Sequence, residues 1–388
     1  MSFSTIQLSS VADVVRTGVD PKSVEAGTRY VGLEHISGDG RLSKGAIEAS
    51  ELASTKFAFN DQQVLFGKLR PYLRKIARPT FDGICSTDII PIMPSKRLDR
   101  DYLFHFLRTD EVIRRATSMA SGANLPRIHP KVLLGFEIPL PPLDEQRRIA
   151  AILDQADALR RVRREAMARL TSLKSSLFIE LFGDPVSNPL NWPLTNLGRL
   201  LANVTNGMTR RRGEGETGDD IVLRLRDIRD GWIDFSEVNR ITLSAKEKSK
   251  FLVSPTDLLF IRVNGNPDYV GRCSVFSGHK EKIYFNDHIM RVSPKFDLIS
   301  PVFLQAMLDS QFGRDQITTH KKTSAGQHTI NQDGLSKIEI PLPPLALQTR
   351  FASELAKIDI QARLAAENQQ GLDALFASLQ HRAFRGEL

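Results

Sequence analysis

Two long stretches of the chain repeat apolar residues at steps of three and four, which is the spacing of one face of an α-helix. The first follows Asp144 and Glu145, which suit a first helical turn, and it stops at Gly183-Asp184-Pro185. The second stops near Gly386. Each pattern predicts a helix of about 40 residues, or about 60 Å. The predicted apolar seams are Ile149, Ile152, Ala156, Leu159, Val162, Ala166, Leu170, Leu173, Leu177 and Leu181 in the first helix, and Leu347, Phe351, Leu355, Ile358, Ala362, Ala365, Leu372, Leu375, Leu379 and Ala383 in the second.

Short apolar runs precede each predicted helix and are broken by Gly, Pro, Asn and Asp, a pattern typical of strands and turns. Residues 64–69, 84–93 and 258–263 are rich in branched side chains and predict strands. Residues 101–117 and 301–314 predict short helices. Each half of the chain is therefore expected to begin with a domain of mixed α/β structure.

The chain also contains an internal repeat. The run Ile138-Pro-Leu-Pro-Pro-Leu143 returns as Ile340-Pro-Leu-Pro-Pro-Leu345, and Val64-Leu65-Phe66 resembles Leu258-Leu259-Phe260. A repeated unit of about 200 residues indicates a tandem duplication and is too long for a solenoid repeat.

The fold class predicted from the duplication is α+β, with two tandem mixed α/β domains linked by two long helices. A seam of this length must be buried, and the other helix is the nearest partner, so we expect an antiparallel coiled coil with an internal pseudo-twofold. The alternative is that each helix packs separately on its own domain. The expected boundaries are 1–142 and 184–344 for the domains, and 143–183 and 345–388 for the helices.

Composition and charge favour a globular protein that binds a polyanion. The chain has 388 residues, 41% hydrophobic and 25% charged, which is enough for two domains. Lys and Arg outnumber Asp and Glu by 53 to 45, and the net charge of +8 suits nucleic acid. Cys85 and Cys273 make no disulfide framework, and neither a signal peptide nor an apolar run of about 18 residues is evident. A cytoplasmic protein without a membrane partner is expected.

Motifs that carry catalytic chemistry are incomplete in this sequence. Asn266-Pro267-Asp268-Tyr269 lacks the second proline of an adenine methyltransferase motif and is interpreted as a turn, and residues 40–45 have P-loop spacing without the following Lys-Ser/Thr. Glu-x-Lys triplets are absent, and the histidines are scattered without zinc-ligand spacing. We therefore expect no catalytic residues, no metal site and no cofactor.

Several of these segments resemble a known family, the specificity subunits of type I restriction–modification systems. Its first half is matched by Ile138-Pro-Leu-Pro-Pro-Leu-Asp-Glu-Gln-Arg-Arg-Ile149, the long helix and Phe182-Gly183-Asp184-Pro185. Its second half is matched by the closing Ala383-Phe384-Arg385-Gly386-Glu387-Leu388, and the recognition domains by residues 30–36 and 121–128. One departure is Ala346-Leu347-Gln348, which stands where the first copy has Asp144-Glu145-Gln146.

The resemblance implies a non-catalytic, DNA-binding subunit of a phage-defence complex. Each target-recognition domain would read one half of a split, asymmetric site in double-stranded DNA, and the helices would set the unread gap. Two methyltransferase subunits would dock on the helices, and motor–endonuclease subunits could join them. The alternatives are a solo DNA methyltransferase or nuclease with recognition domains, and a coiled-coil scaffold with no role on DNA.

Candidate DNA contacts are basic and amide side chains in predicted loops, since Arg, Asn and Gln suit base edges and Lys suits phosphates. For any single residue the alternative is a solvated surface charge. Gln327-His328-Thr329 aligns with Leu125-Pro126-Arg127, so we expect the base preferences of the two halves to differ there, with ordinary loop drift as the alternative. The candidates are Lys68, Arg70, Tyr72, Arg74, Lys75 and Arg127 in the first domain, and Arg210, Arg211, Arg212, Arg224, Arg226, Arg262, Asn264, Lys321, Lys322, Gln327 and His328 in the second.

Candidate partner contacts lie on the predicted helices. The four arginines within residues 160–164 could meet spacer phosphates or an acidic patch of a methyltransferase. The alternative is a solvated helix face paired with Asp154, Asp157 and Glu165. The candidates are Gln146, Ile149, Leu153, Arg160 and Arg164 on the first helix, and Gln348, Phe351 and Leu355 on the second.

Overall fold

The computed structural model describes residues 3–43, 52, 54–209, 217–229, 231–324 and 326–388. The chain divides into two compact units. Unit 1 comprises Met1–Ala166 and Ala365–Leu388, and unit 2 comprises Met167–Leu364. Each unit contains sheets, short helices and parts of two long helices, so the predicted mixed α/β class is confirmed.

Unit 1 builds its domain from short strands followed by short helices. Two of its sheets have the strand orders β2-β9-β6-β7 and β3-β5-β8-β4, and β1 pairs with β10. The elements are β1 (Thr5–Gln7), β2 (Ala12–Val14), β3 (Gly18–Val19), β4 (Arg29–Val31), β5 (Lys56–Phe59), β6 (Val64–Gly67), β7 (Ile76–Ala77), β8 (Gly83–Cys85), β9 (Ile89–Pro94), α1 (Arg100–Leu107), α2 (Asp110–Ser118), α3 (Pro130–Leu134), β10 (Glu137–Pro139) and the long helix α4 (Leu143–Phe182).

Unit 2 repeats this order with additions. Its sheets have the orders β12-β19-β15-β17, β14-β13-β18 and β16-β21-β20, and β11 pairs with β22. The elements are β11 (Leu194–Asn196), α5 (Leu197–Leu200), β12 (Leu201–Asn206), β13 (Thr217–Leu223), β14 (Asn239–Ile241), α6 (Ala245–Phe251), β15 (Leu258–Ile261), β16 (Val263–Asn264), β17 (Cys273–Val275), β18 (Ile283–Phe285), β19 (Ile289–Pro294), α7 (Pro301–Asp309), α8 (Gln311–His320), β20 (Lys322–Ser324), β21 (Gln327–Thr329), α9 (Gln332–Ser336), β22 (Glu339–Pro341) and the long helix α10 (Leu345–Ala383).

The central strand of each unit is buried on both faces. In β6, Val64 and Phe66 point into the core that contains α1 and the start of α4, while Leu65 points into a second core between the sheets. In β15, Leu258 lies in one core and Leu259 in the other. Because successive side chains of a strand alternate between faces, burial of both faces produces the unbroken apolar runs seen in the sequence.

The repeated Glu-Ile-Pro segments occupy the same place in both units. Ile138 pairs with Ile6 in the antiparallel β1–β10 ladder, and Ile340 pairs with Thr195 in the β11–β22 ladder. Pro139 and Pro341 are the last paired residues of these strands. The Pro-Pro pairs at 141–142 and 343–344 have no N–H to extend the ladder, and each long helix begins directly after its pair. The six-residue repeat is therefore the junction between domain and helix.

The long helices pair antiparallel within each unit. In unit 1, Arg148 Nη2 donates to the Leu388 carbonyl at 3.1 Å and Arg160 Nε donates to Asp373 at 2.6 Å, so rising numbers on α4 meet falling numbers on α10. In unit 2, the same sense is given by Lys174, which pairs with Asp359, and by the edge-to-face contact of Phe178 with Phe351. The helices thus pack on each other as well as on the domains.

The predicted seam is wrong in the middle of α4. Leu159 and Val162 are 59% and 62% exposed, whereas Asp157 is buried. Arg160 faces α10 and pairs with both Asp157 and Asp373. Steps of three and four fit two neighbouring helix faces equally well, and these ion pairs place the charged face against α10. Leu173 and Leu375 are likewise exposed.

The two predicted short helices are each broken once. The helix expected over residues 101–117 is interrupted between α1 and α2, where the Thr109 hydroxyl accepts the Val112 N–H at 3.3 Å. The helix expected over 301–314 is interrupted in the same way before α8, where Ser310 Oγ accepts the Gly313 N–H at 3.2 Å. Thr and Ser are strong helix N-caps, which explains both restarts.

Candidate nucleic-acid interface

Backbone hydrogen bonds bring three loop segments of unit 1 together. The Lys68 N–H donates to the Asp88 carbonyl at 2.9 Å, and the Ile128 N–H donates to the Lys68 carbonyl at 3.0 Å. The Arg70 N–H donates to the Pro126 carbonyl at 2.8 Å. Because these backbone groups are paired, the side chains stand on a fixed frame. We call this region loop surface 1, and it comprises residues 68–75, 86–88 and 121–128.

Arg127, Asp88 and Lys68 form an ion cluster on loop surface 1. Nε and Nη2 of Arg127 donate to the two carboxylate oxygens of Asp88, at 2.9 and 3.2 Å. Lys68 Nζ lies 3.6 Å from the same carboxylate. Hydrogen bonds from Arg127 lower the pKa of Asp88 and outweigh the burial that raises it, so the carboxylate stays charged. With two cations and one anion, the cluster is positive overall.

The turn that carries Tyr72 has a strained backbone. Tyr72 is 51% exposed within the tight turn Pro71–Leu73. Arg70 and Arg74 flank that turn with φ of 49° and 53°, in the left-handed region. Such residues cost about 1 kcal/mol or more each and cluster at functional sites. The structure thus brings together four of the predicted contacts, namely Lys68, Arg70, Tyr72 and Arg127.

Two other predicted contacts in unit 1 have their charged ends bound inside the unit. Arg74 Nη1 donates to the Arg108 carbonyl at 3.1 Å, and Nη2 pairs with Asp110. Lys75 Nζ donates to the Ile36 carbonyl. These bonds fasten the turn to the rest of the domain, so we assign Arg74 and Lys75 a structural role and leave them out of the proposed interface.

Unit 2 repeats the frame of loop surface 1. The Arg262 N–H donates to the His288 carbonyl at 2.9 Å, and the Ile330 N–H donates to the Arg262 carbonyl at 2.9 Å. These are the bonds that Lys68 makes in unit 1, so Arg262 and His288 occupy the positions of Lys68 and Asp88. We call this region loop surface 2, and it comprises residues 262–272, 286–288 and the described part of 321–330.

Loop surface 2 presents a different set of side chains. Asn264 stands opposite His328 in the β16–β21 ladder, and Nδ1 of His328 lies 2.9 Å from the Thr323 hydroxyl. Arg262 Nη1 donates to the Asp287 carbonyl at 2.8 Å. Gln327 is exposed at the turn of the β20–β21 hairpin. The remaining predicted contacts on this surface are Lys321, which is half-buried, and Lys322, which is exposed.

The other predicted contacts of the second domain have separate positions. Arg224 and Arg226 lie on the turn after β13, and both donate to the Glu237 carbonyl, at 2.7 and 3.1 Å. Arg224 follows Leu223, whose carbonyl accepts the Asn286 N–H at 3.0 Å, so this turn borders loop surface 2. Arg210, Arg211 and Arg212 lie outside the described residues.

Two residues of loop surface 2 were not among the contacts predicted from the sequence. The Ile261 N–H donates to the Arg272 carbonyl at 2.8 Å, as the Gly67 N–H does to the Lys75 carbonyl at 2.7 Å, so Arg272 is equivalent to Lys75. Tyr269 is then equivalent to Tyr72, and it is also exposed, at 41%. The Arg272 guanidinium carbon lies 4.1 Å from the Tyr269 ring centre. The shared spacing Tyr-x-x-basic is the signal that could have identified this pair.

Gln146 and Gln348 tie each long helix to its own domain. Gln146 is fully buried, accepts the Asp99 N–H at 2.8 Å and donates to the carbonyls of Arg97 and Pro141. Gln348 is also fully buried and accepts the Ser300 N–H at 2.8 Å. Neither side chain offers a surface to a partner, so we reassign both as structural residues.

Most of the other partner contacts predicted on the helices are buried or ion-paired within their own units. Ile149, Leu153 and Phe351 are at most 1% exposed, and Leu355 packs beside Phe351 in the core of unit 2. We therefore leave these four out of the proposed partner surface. On the helices of unit 1, Arg160 is largely buried in ion pairs, as stated above. Arg164, with 40% of its side chain exposed, is bound to Asp373 at 3.2 Å.

Exposed apolar residues lie at equivalent positions of the two long helices. Counting from Gln146 and Gln348, Val162 corresponds to Leu364, and Leu173 corresponds to Leu375. All four are between 48% and 62% exposed. Unit 1 contains Val162 and Leu375, and unit 2 contains their counterparts Leu364 and Leu173. Each unit therefore carries one copy of the same pair of exposed apolar side chains.

The described residues also bear on metal binding and on membrane crossing. In that part of the chain, no group of three or more His, Cys, Asp and Glu side chains is placed to hold a metal ion. None of the described helices combines the length and apolar character needed to cross a membrane.

Comparison with known proteins gives a family match to both halves of the chain. The family described as type I restriction modification DNA specificity domain matches residues 43–169 and 217–373. A similar protein is the type I restriction enzyme StySPI specificity subunit of Salmonella potsdam, which is 28% identical over 325 residues. That alignment covers 80% of this chain and 69% of the StySPI subunit.

Two solved structures share the fold. One comes from work on complex assembly and conformational transition of the type I R-M system, with a TM-score of 0.58, 22% identity and coverage of 100% of this chain and 98% of that one. The other is a type I restriction-modification system S subunit from M. genitalium, with a TM-score of 0.63, 14% identity and coverage of 99% and 96%.

Proposed function

The chain belongs to the type I restriction modification DNA specificity family, and on this premise we propose that it is the non-catalytic specificity subunit of a type I complex. Each domain would read one half of a split, asymmetric target in double-stranded DNA. The observation that carries the proposal is the pair of loop surfaces, which share a backbone frame and differ in side chains. A shared frame would present both surfaces to DNA alike, and different side chains would read different half-sites.

The chemistry of the loop surfaces suits base edges and phosphates. On loop surface 1, Lys68 and Arg70 would contact phosphates, and Tyr72 would pack on sugar or base. On loop surface 2, the amides of Asn264 and Gln327 would read adenine, and Arg262 would contact phosphate or guanine. Tyr269, with the Arg272 guanidinium over its ring, would take the place of Tyr72.

The long helices would serve as the platform for other subunits. Val162 with Leu375 in unit 1, and Leu364 with Leu173 in unit 2, would dock two copies of one methyltransferase subunit, because equivalent surfaces fit equivalent partners. Motor–endonuclease subunits would join that assembly. The helices α4 and α10 would also set the length of the unread gap.

A methylation map tests the function directly. The chain is expressed with its cognate methyltransferase subunit in a host that lacks modification, and modified bases are located across the genome. The expected motif has two short, different halves around a fixed unread gap. The control is the same methyltransferase expressed without this chain, which should leave the motif unmodified. A contiguous motif, or no modification with a partner shown to bind, would contradict the proposal.

A further inference from the structure

The Arg127 side chain is held so that part of its guanidinium stays available. Three of its five N–H groups are engaged, two with Asp88 and one from Nη1 to the Leu125 carbonyl at 3.2 Å. One N–H on each Nη remains, and the side chain is 40% exposed. Two donors on neighbouring guanidinium nitrogens suit the O6 and N7 acceptors of guanine.

The loop that carries Arg127 is fixed from several sides. Arg127 and Ser121 exchange two backbone hydrogen bonds, at 2.9 and 3.0 Å. Gly122 lies within that loop with φ of 115°, a conformation that side chains rarely adopt. The neighbouring Pro126 carbonyl is held by the Arg70 N–H, as described above. A donor pair on such a loop loses little freedom when it binds, which favours selective contacts.

Loop surface 2 has other residues at both positions of this ion pair. Leu69 pairs with Arg127 in an isolated bridge, and Val263 pairs with Thr329 in the β16–β21 ladder, so Thr329 replaces Arg127. His288 replaces Asp88 by the backbone bonds given above. The held arginine is therefore specific to loop surface 1.

We propose that Arg127 reads one guanine in the half-site of the first domain, and that Asp88 is the positioning residue that aims its guanidinium. This inference rests on the proposed function and adds the base and the residue that reads it. A purely structural Arg127–Asp88 clamp would hold the loop without distinguishing bases. The two roles differ in one measurable quantity, the selectivity for guanine at a single position.

The test uses the full chain in complex with its methyltransferase and DNA duplexes that carry the mapped target. Each guanine of both half-sites is replaced in turn by 7-deazaguanine, which has C–H in place of N7. The wild-type complex is expected to lose affinity about 5-fold to 100-fold at one guanine of one half-site. Arg127→Ala should be indifferent to that replacement, because alanine has no donor. Arg127→Lys should show a reduced response, because its ammonium lacks the rigid planar fork of the guanidinium. Asp88→Asn should show a reduced response at the same position.

A matched control is available in unit 2. Arg240 forms a two-donor pair with Glu281, at 2.9 and 3.0 Å, with similar exposure to the Arg127–Asp88 pair. Arg240→Lys should leave the response to every 7-deazaguanine unchanged.

The salt dependence of DNA binding gives a second readout for Arg127. It should be unaltered in Arg127→Lys, because the charge is kept.

The outcomes separate the inference from the function beneath it. If the motif is split but the Arg127 variants keep the wild-type response to 7-deazaguanine, the inference is wrong and the function stands. The same holds if the wild-type complex tolerates the replacement everywhere, a result that needs no variant to fold. If the Arg127 variants weaken binding to every duplex by the same factor, wherever 7-deazaguanine is placed, the Arg127–Asp88 clamp is structural and the inference is wrong. If no split motif exists, both fail.

Discussion

Replacing Asp154 by alanine perturbs a buried polar junction between the first domain and α4. Asp154 accepts a hydrogen bond from Arg78 Nη1 at 2.9 Å, and its Oδ1 lies 2.7 Å from His105 Nε2. His105 is 1% exposed, and its Nδ1 has no hydrogen-bond partner among the described residues. Burial lowers the pKa of His105 and outweighs the hydrogen bond to Asp154 that raises it. The neutral ring therefore donates Nε2–H to the carboxylate.

The expected loss of stability in Asp154→Ala follows from the lowered pKa of the Asp154 carboxylate. Burial would raise the pKa of Asp154, but hydrogen bonds from His105 and Arg78 outweigh it and hold the pKa at about 2. A pKa about two below the ordinary value corresponds to about 2.5 kcal/mol. Since 34% of the side chain is exposed, solvent screening reduces this to about 1 kcal/mol. Leaving His105 without its acceptor, and Arg78 with Asp101 as its remaining carboxylate, adds about 1–2 kcal/mol.

Unit 2 shows that the junction can be built without charge. The shared contacts of Gln146 and Gln348 with the starts of α1 and α7 align His105 with Ala306 and Asp154 with Ala356. The strand pairs of Ala77 with Leu65 and of Ser274 with Leu259 align Arg78 with Val275. All three polar residues of the unit 1 junction thus have apolar counterparts.

The assay is thermal and urea unfolding of the full chain. Asp154→Ala is expected to destabilise unit 1 by about 2–3 kcal/mol, or about 4–12 °C in Tm for a unit of this size. The triple variant Arg78→Val, His105→Ala, Asp154→Ala should be no less stable than Asp154→Ala, because no buried polar group loses its partner. Asp144→Ala, at an ion pair with a 97% exposed carboxylate, is the control and should change stability by less than about 0.5 kcal/mol. An Asp154→Ala change that small, or a triple variant that is less stable than Asp154→Ala, would refute the reasoning.

Three further results are expected. Since the pKa of His105 is lowered on folding, its contribution to stability is complete above about pH 6.5 and declines as pH falls below that value. His105→Ala should flatten the curve of unfolding free energy against pH below about pH 6.5. An unchanged slope would contradict a buried, neutral His105 ring. Gln146→Leu should cost about 2–4 kcal/mol by leaving a backbone N–H and two carbonyls without partners, whereas the exposed Gln155→Leu should be nearly neutral in urea unfolding. Val162→Glu and Leu364→Glu should each remove one methyltransferase copy from the assembled complex, as read by native mass spectrometry; loss of both copies in either variant would show that the two docking positions are not independent.

Much of the fold could be predicted because its signals are local and repeated. The long helices carry apolar residues over many turns, and the duplicated Pro-rich run marks where each begins. The face of α4 could not be predicted near its middle, because Leu159 and Val162 continue the apolar spacing while Asp157 and Arg160 face α10. The buried face of α4 is set by its charged partner on α10, and the residue pattern of α4 alone carries no information about that partner.

The candidate site was predicted in part for a related reason. Basic residues in loops identified Lys68, Arg70 and Arg127, but spacing along the chain cannot show that Lys75 turns inward to a carbonyl. Tyr269 was missed because the loop after β15 is longer than the loop after β6, so a single offset does not align them. Backbone hydrogen bonds at both ends of the loops supply the alignment.

The most direct measurement is a methylation map of a variant with an altered loop surface 2. Gln327 and His328 are both replaced by alanine, and the modified motif is compared with that of the unaltered chain. The account predicts that one half of the motif relaxes or changes, while the other half and the gap length stay the same. A change in both halves, or in the gap, would contradict the claim that each loop surface reads its own half of the target.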